Sequence, residues 1–165
     1  MKALFIGRFQ PFHKGHAIVL QRLSTKYDEL IIGIGSAQYH DSSDNPFSDQ
    51  ERKQMITQTL QKMGIQNYRI VFIPDIHDPP HWVDHVCSLV SDFDIVVTNN
   101  PLTRTLFSQK GFVVKGSAYV NRKLYSGKEI RRRIIKDEPW QELVPDEVAR
   151  LIQNVHGVER IKNLA

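Results

Sequence analysis

The feature that most limits what this chain can fold into is an alternation. Short apolar runs, each closed by glycine, proline or a polar residue, are separated by stretches with helical spacing. Lys2–Ile6 (KALFI) ends at Gly7, ELIIGI occupies Glu29–Ile34, RIVFI occupies Arg69–Ile73 before Pro74, and DIVV occupies Asp94–Val97. Phe112–Lys115, after Gly111, is a further candidate strand. Between these runs, His16–Leu23, Trp82–Val90, Pro101–Lys110, Gly127–Ile135 and Asp146–Val155 carry apolar residues at helical intervals. Ser48-Asp49-Gln50-Glu51 is a capping-box sequence, which predicts a helix running to about Met63, with Gly64 as its closing glycine. Gly35–Phe47 reads as a long polar loop, and Asp75–His81, with adjacent prolines, as a turn-rich stretch. Strands alternating with helices predict an α/β fold with a parallel sheet and right-handed crossovers. In such a sheet ligands bind beyond the carboxyl ends of the strands, where the strand order reverses.

Composition narrows the class further. The 165 residues suit one domain spanning 1–165, and 41% apolar residues suffice for its core. No apolar run reaches the roughly 18 residues of a membrane span, and MKALFIGRF lacks the pattern of a signal peptide. Cys87 is the single cysteine, so no internal disulfide forms. Together these features predict a cytoplasmic protein without membrane partners. The net charge of +4 is compatible with anionic small molecules and with weak nucleic-acid binding, so charge alone does not decide between them.

Two segments carry chemistry. The first is GRFQPFHKGH, Gly7–His16, directly after the first strand. Gly7 lets backbone approach a ligand closely, and Gly15 sits at the mouth of a helix, where free N–H groups favour an anion. His13 and His16 are three apart and face the same way on a first helical turn. With Arg8 they form a candidate polyphosphate site. A plain surface pair of histidines fits the same spacing, and a zinc site fits less well because further ligands at metal spacing are missing. The second segment is YSGKEIRRR, Tyr125–Arg133. The Ser126 hydroxyl and the N–H groups of a helix start can hold phosphate oxygens, and Arg131, one turn on, can reach the same anion with its planar fork. Three consecutive arginines diverge around a helix, so Arg132 and Arg133 are expected on a solvated or ion-paired face.

His13-Lys14-Gly15-His16 matches the HxGH signature of the nucleotidyltransferase superfamily, and the whole of GRFQPFHKGH resembles the opening of the archaeal-type nicotinamide-nucleotide (NMN) adenylyltransferases. YSGKEIRRR is similar to the second signature of that superfamily, with Lys128 where a threonine is usual. GIGSAQ, NPFSDQER, the PDI…W spacing, NPL and VERIKNLA resemble the same branch, so the likeness spans nearly the whole chain. The resemblance implies a single-domain, Rossmann-like doubly wound parallel sheet. It implies transfer of AMP from ATP to NMN, giving NAD and pyrophosphate. It assigns catalysis to Arg8, His13, His16 and Arg131, and ATP binding to these together with Gly7 and Ser126. NMN binding falls to Ile76, Trp82 and Asn100. Trp82 is the candidate platform for the nicotinamide ring, since an indole face stacks on a flat electron-poor ring; an ordinary core tryptophan is the alternative. Pro79 stands where the family has an asparagine, which leaves backbone around Ile76 and Pro79 to read the carboxamide. Mg²⁺ is implied as cofactor, held through ATP phosphates with no ligand from the protein, and a homo-oligomer, in some relatives a hexamer, as the assembly. The rivals are the same chemistry on nicotinate mononucleotide, FMN or phosphopantetheine, a catalytically silent nucleotide sensor, and a nucleic-acid-binding module. Scattered basic residues without an aromatic-rich stretch argue against the last.

Overall fold

The computed structural model describes residues 1–118 and 120–165. The chain packs as two compact units, neither continuous in sequence. The first comprises Met1–Arg8, Arg22–Ala37 and Asn67–Ala118. It holds a five-stranded sheet of β1 (Lys2–Gly7), β2 (Glu29–Gly35), β3 (Tyr68–Ile73), β4 (Ile95–Val97) and β5 (Val113–Lys115). The order is β3-β2-β1-β4-β5 and every pairing is parallel. The order therefore reverses between β1 and β4, the doubly wound pattern of Rossmann-like sheets. Leu30, Ile31, Ile32 and Ile34 of β2 are wholly buried, as expected for a central parallel strand covered on both faces. Gly33 in the same strand leaves room for Ile73, whose side chain would lie only 2.6 Å from an added Cβ.

The expected strands and helices are present, with their ends shifted by a few residues. α1 (Lys14–Lys26) extends the expected span at both ends, and α3 (Pro79–Leu89) begins three residues before Trp82 and takes both prolines into its first turn. Proline is tolerated there because the missing N–H has no intrahelical partner in any case. α4 (Pro101–Gln109) closes in a Schellman motif: Gly111, at φ +86, and Phe112 donate their N–H groups to Ser108 and Phe107. Phe112 then packs on Phe107 at 5.7 Å, and Trp82 and Phe93 meet the same ring nearly edge-on. Leu4, Ile31, Val83, Val86 and Val96 complete this core.

The second unit comprises Phe9–Gln21, Gln38–Gln66 and the described part of Tyr119–Ala165. Helix α1 (Lys14–Lys26) begins in it and ends in the first unit. α2 (Asp49–Lys62) carries the expected capping box, with Ser48 Oγ accepting from Glu51 N–H and the Glu51 carboxylate accepting from Ser48 N–H. Gly64 closes it at φ +74. α5 (Gly127–Ile135) matches its expected span, α6 (Asp146–Asn154) follows Pro145, and α7 (Gly157–Leu164) is a helix that the periodicity did not reveal. His156 separates α6 from α7 in a left-handed conformation, an abrupt break that a histidine does not advertise. Arg160 of α7 forks onto both Glu51 oxygens, at 2.7 and 2.9 Å, which fixes α7 to the start of α2. Among the described residues no helix is long and apolar enough to cross a membrane.

Candidate active site

The second unit contains the histidine pair. His13 immediately precedes α1 and His16 ends its first turn. His16 N–H donates to His13 Nδ1 at 3.3 Å, and His13 N–H donates to His16 Nδ1 at 3.2 Å. This is a capping box built from two imidazoles, since each ring satisfies a backbone donor that the helix leaves unpaired. The rings stack with centroids 3.6 Å apart and an interplanar angle of 19°. Phe9 meets His16 edge-on at 4.8 Å, and Phe12 lies 5.4 Å from the same ring. Gly15 leaves space between them, since a Cβ there would stand 3.0 Å from the His13 ring and from Tyr125 Cβ.

This geometry determines the protonation state. Burial lowers the His13 imidazole from 6.5 to about 4, and burial together with the adjacent His13 holds His16 well below its ordinary value. Both rings are therefore neutral at pH 7. A neutral ring whose Nδ1 accepts a hydrogen bond carries its proton on Nε2. The pair thus offers two Nε2–H donors at the amino end of a helix, where the backbone dipole favours negative charge. The folded chain binds fewer protons at His13 than the unfolded chain between about pH 4 and 6.5. The stability contributed by the neutral His13 ring is complete above 6.5 and lost as pH falls toward 4. A fall from 6.5 to about 4 at His13 corresponds to about 3 kcal/mol. His13→Asn keeps a capping oxygen but does not titrate, so it is expected to lose less stability than the parent between neutral and acidic pH. Urea unfolding at both pH values measures this, and equal losses would contradict the buried neutral ring.

Ser126 is the N-cap of α5, and its Oγ accepts from Glu129 N–H at 3.1 Å, which leaves the hydroxyl proton to donate elsewhere. Arg131 is buried and donates through Nη1 to the Gln10 carbonyl at 2.6 Å. That bond ties Arg131 to the loop that precedes the histidines. Arg132 and Arg133 both bond Glu129, and Arg132 also bonds Glu138, the ion-paired face expected of them. Lys128 is exposed.

The first unit contains a cleft of about 560 Å³ at the carboxyl ends of its strands, lined by Gly7, Arg8, Gly35, Ile73 and Thr98 among others. It lies where the strand order reverses, as expected. Trp82, half-buried, lines it with one edge propped on Phe107 at 5.5 Å. Asn100 lines it as well and caps α4, accepting from Thr103 N–H. Ile76, the third residue assigned to the acceptor, is exposed and is not part of this lining, whereas Asp75, Asp78 and Pro79 are. In the turn before α3, Asp75 accepts from His77 N–H and Asp78 pairs with His81. Asp75, Asp78 and Thr98 escaped the sequence reading, although the end of a strand beside a switch point was available as a signal for Thr98.

A doubly wound α/β protein with a ligand cleft at the switch point of its sheet is the class that the fold defines. The chain belongs to the cytidylyltransferase-like family, whose model matches residues 4–133. Nicotinamide-nucleotide adenylyltransferases are among its relatives. The one from Thermoplasma acidophilum is 47% identical over 164 residues, covering 99% of this chain and 92% of the relative. The one from Picrophilus torridus is 46% identical over 165 residues, covering 100% of this chain and 98% of the relative. A bifunctional NMN adenylyltransferase/ADP-ribose pyrophosphatase from Francisella tularensis, crystallised with AMP and a manganese ion, shares the fold at a TM-score of 0.79 and 22% identity. That match covers 98% of this chain, which spans about half the length (52%) of the Francisella protein.

Proposed function

We propose that this protein transfers AMP from ATP to nicotinamide mononucleotide, forming NAD and releasing pyrophosphate. The observation that carries the proposal is the reciprocally capped His13–His16 pair, whose Nε2–H donors suit phosphate oxygens. An oxygen of the acceptor's 5′-phosphate forms a bond to the α-phosphorus of ATP. The bond from that phosphorus to the bridging oxygen breaks, and pyrophosphate departs with the electron pair. The attacking phosphate is already an anion at neutral pH, so no side chain has to remove a proton. The protein's contribution is positioning and charge stabilisation. His13 and His16 donate to α-phosphate oxygens as they gain charge, and Ser126 donates its hydroxyl proton to the leaving group. Gly7 and Arg8 belong to the nucleotide's side of the reaction, and Trp82 and Asn100 to the acceptor's.

A divalent cation, Mg²⁺ in this proposal, would be held by the nucleotide's phosphates and would supply charge neutralisation there. The proposal extends to a cytoplasmic homo-oligomer, which light scattering on purified protein can check.

The decisive experiment offers ATP and Mg²⁺ with a panel of NMN, nicotinate mononucleotide, FMN and phosphopantetheine, and measures pyrophosphate and the dinucleotide product. NAD from NMN is the expected result, and release of pyrophosphate only with another acceptor would overturn the reading. For Trp82→Ala, loss of the stacking face is expected to raise KM for NMN by about tenfold and leave KM for ATP nearly unchanged. An unaltered KM for NMN would take Trp82 out of the acceptor site.

A further inference from the structure

Gln10 is a buried amide in the histidine loop, with 3% of its surface exposed. Its side chain copies a backbone pairing: Nε2 donates to the Phe47 carbonyl and Oε1 accepts from Phe47 N–H, both at 2.9 Å. Its own carbonyl accepts from Arg131 Nη1. Contact on that side is close enough to demand glycine, because a Cβ on Gly127 would stand 2.8 Å from the Gln10 oxygen and 2.9 Å from Arg131 Nη1. Phe47 is itself fully buried beside the capped start of α2, under the Arg160 guanidinium. The strut Arg131–Gln10–Phe47 thus ties α5 to the entry of α2 through a single loop residue. That residue lies between Phe9 and Phe12, the two rings that flank His16.

We propose that Gln10 is a positioning residue, which holds the histidine loop so that both imidazoles keep their reciprocal caps and their Nε2–H tautomer. The proposal deepens the reading that these imidazoles act on triphosphate. Loss of the amide frees the Phe9–Phe12 loop, the rings rotate out of the reciprocal caps, and both tautomers become populated. A displaced donor lowers kcat, because the interaction is made as charge develops, and affects KM less.

The test uses the full chain and nitrogen-15 NMR of the imidazoles, which reads the tautomer directly and does not depend on turnover. The parent protein is expected to show an acceptor-type Nδ1 and a protonated Nε2 on both rings. In Gln10→Leu both signals are expected to move to tautomer-averaged positions, with kcat down by about tenfold or more and both KM values within about threefold. Gln10→Glu covers the case in which the leucine variant does not fold. Its carboxylate can accept from Phe47 N–H but cannot donate to the Phe47 carbonyl; protonation restores the donor, and burial raises the pH at which that happens. Relative to the parent, its kcat and its Nε2–H signature are expected to recover as pH falls. A Gln10→Leu protein that is less stable but keeps both tautomer signals and its kcat would overturn the proposal, as would a Gln10→Glu protein with no acid recovery. Normal turnover in His16→Ala would instead remove the triphosphate role of the imidazoles while leaving the NMR result to stand or fall alone.

Discussion

Replacing His16 by alanine is expected to lower kcat by about 100-fold or more, the scale set by removal of one preorganised donor from a developing oxyanion. Alanine also removes one half of the reciprocal cap, and losing a helix cap costs about 1 kcal/mol of stability. Two further substitutions separate the roles. In His16→Asn the amide oxygen sits where Nδ1 was, so it can still accept from His13 N–H; nothing reaches the position of Nε2. This variant is expected to keep the parent's thermal stability and to share the full loss of kcat. In His16→Gln the longer amide can place an N–H near the former Nε2, and part of the rate is expected to return. Steady-state kinetics with ATP and NMN, paired with thermal unfolding, measures all three. Turnover of a folded asparagine variant within about threefold of the parent would remove His16 from the chemistry.

The second large effect concerns the support beneath Trp82. Phe107 is completely buried and meets the rings of Trp82, Phe93 and Phe112 at 5.5, 6.1 and 5.7 Å, each nearly edge-on. Phe107→Ala removes a large buried ring and leaves a cavity that three aromatic neighbours can fill only in part. The expected cost is about 3–5 kcal/mol of unfolding free energy, read from urea titration. Because Phe107 props the edge of Trp82, the folded fraction is also expected to show a raised KM for NMN. A stability loss below about 1 kcal/mol would mean that the cluster closes over the gap, and the account of Phe107 as the centre of this core would be wrong.

Local chemistry accounts for much of what could be read before the fold was known. The capping box at Ser48 and Glu51, the closing glycines at 64 and 111 and the strand runs all depend on residues within a few positions of one another. Their signals therefore survive in a linear string. The sheet order required one added rule, that strand–helix alternation gives parallel pairing. Boundaries failed where the same residue type serves two purposes. Pro79 and Pro80 read as a turn but open α3, since proline suits both places. The turn before α3 contains a left-handed residue, His77 at φ 52, and backbone handedness at a histidine leaves no mark in composition.

The sequence by itself determined the doubly wound α/β class, the histidine spacing at the mouth of α1, the serine at the start of α5 and the family to which these belong. Each is a matter of residue type at short separation. Only the tertiary structure decided that the imidazoles are neutral and proton-bearing at Nε2, because burial and reciprocal capping arise only once the loop is packed. It alone gave Arg131 a partner 121 residues away at Gln10, and it alone placed Asp75 and Asp78 in the lining of the cleft. Contacts made across that distance depend on how the chain returns on itself, and no local preference encodes where it does so.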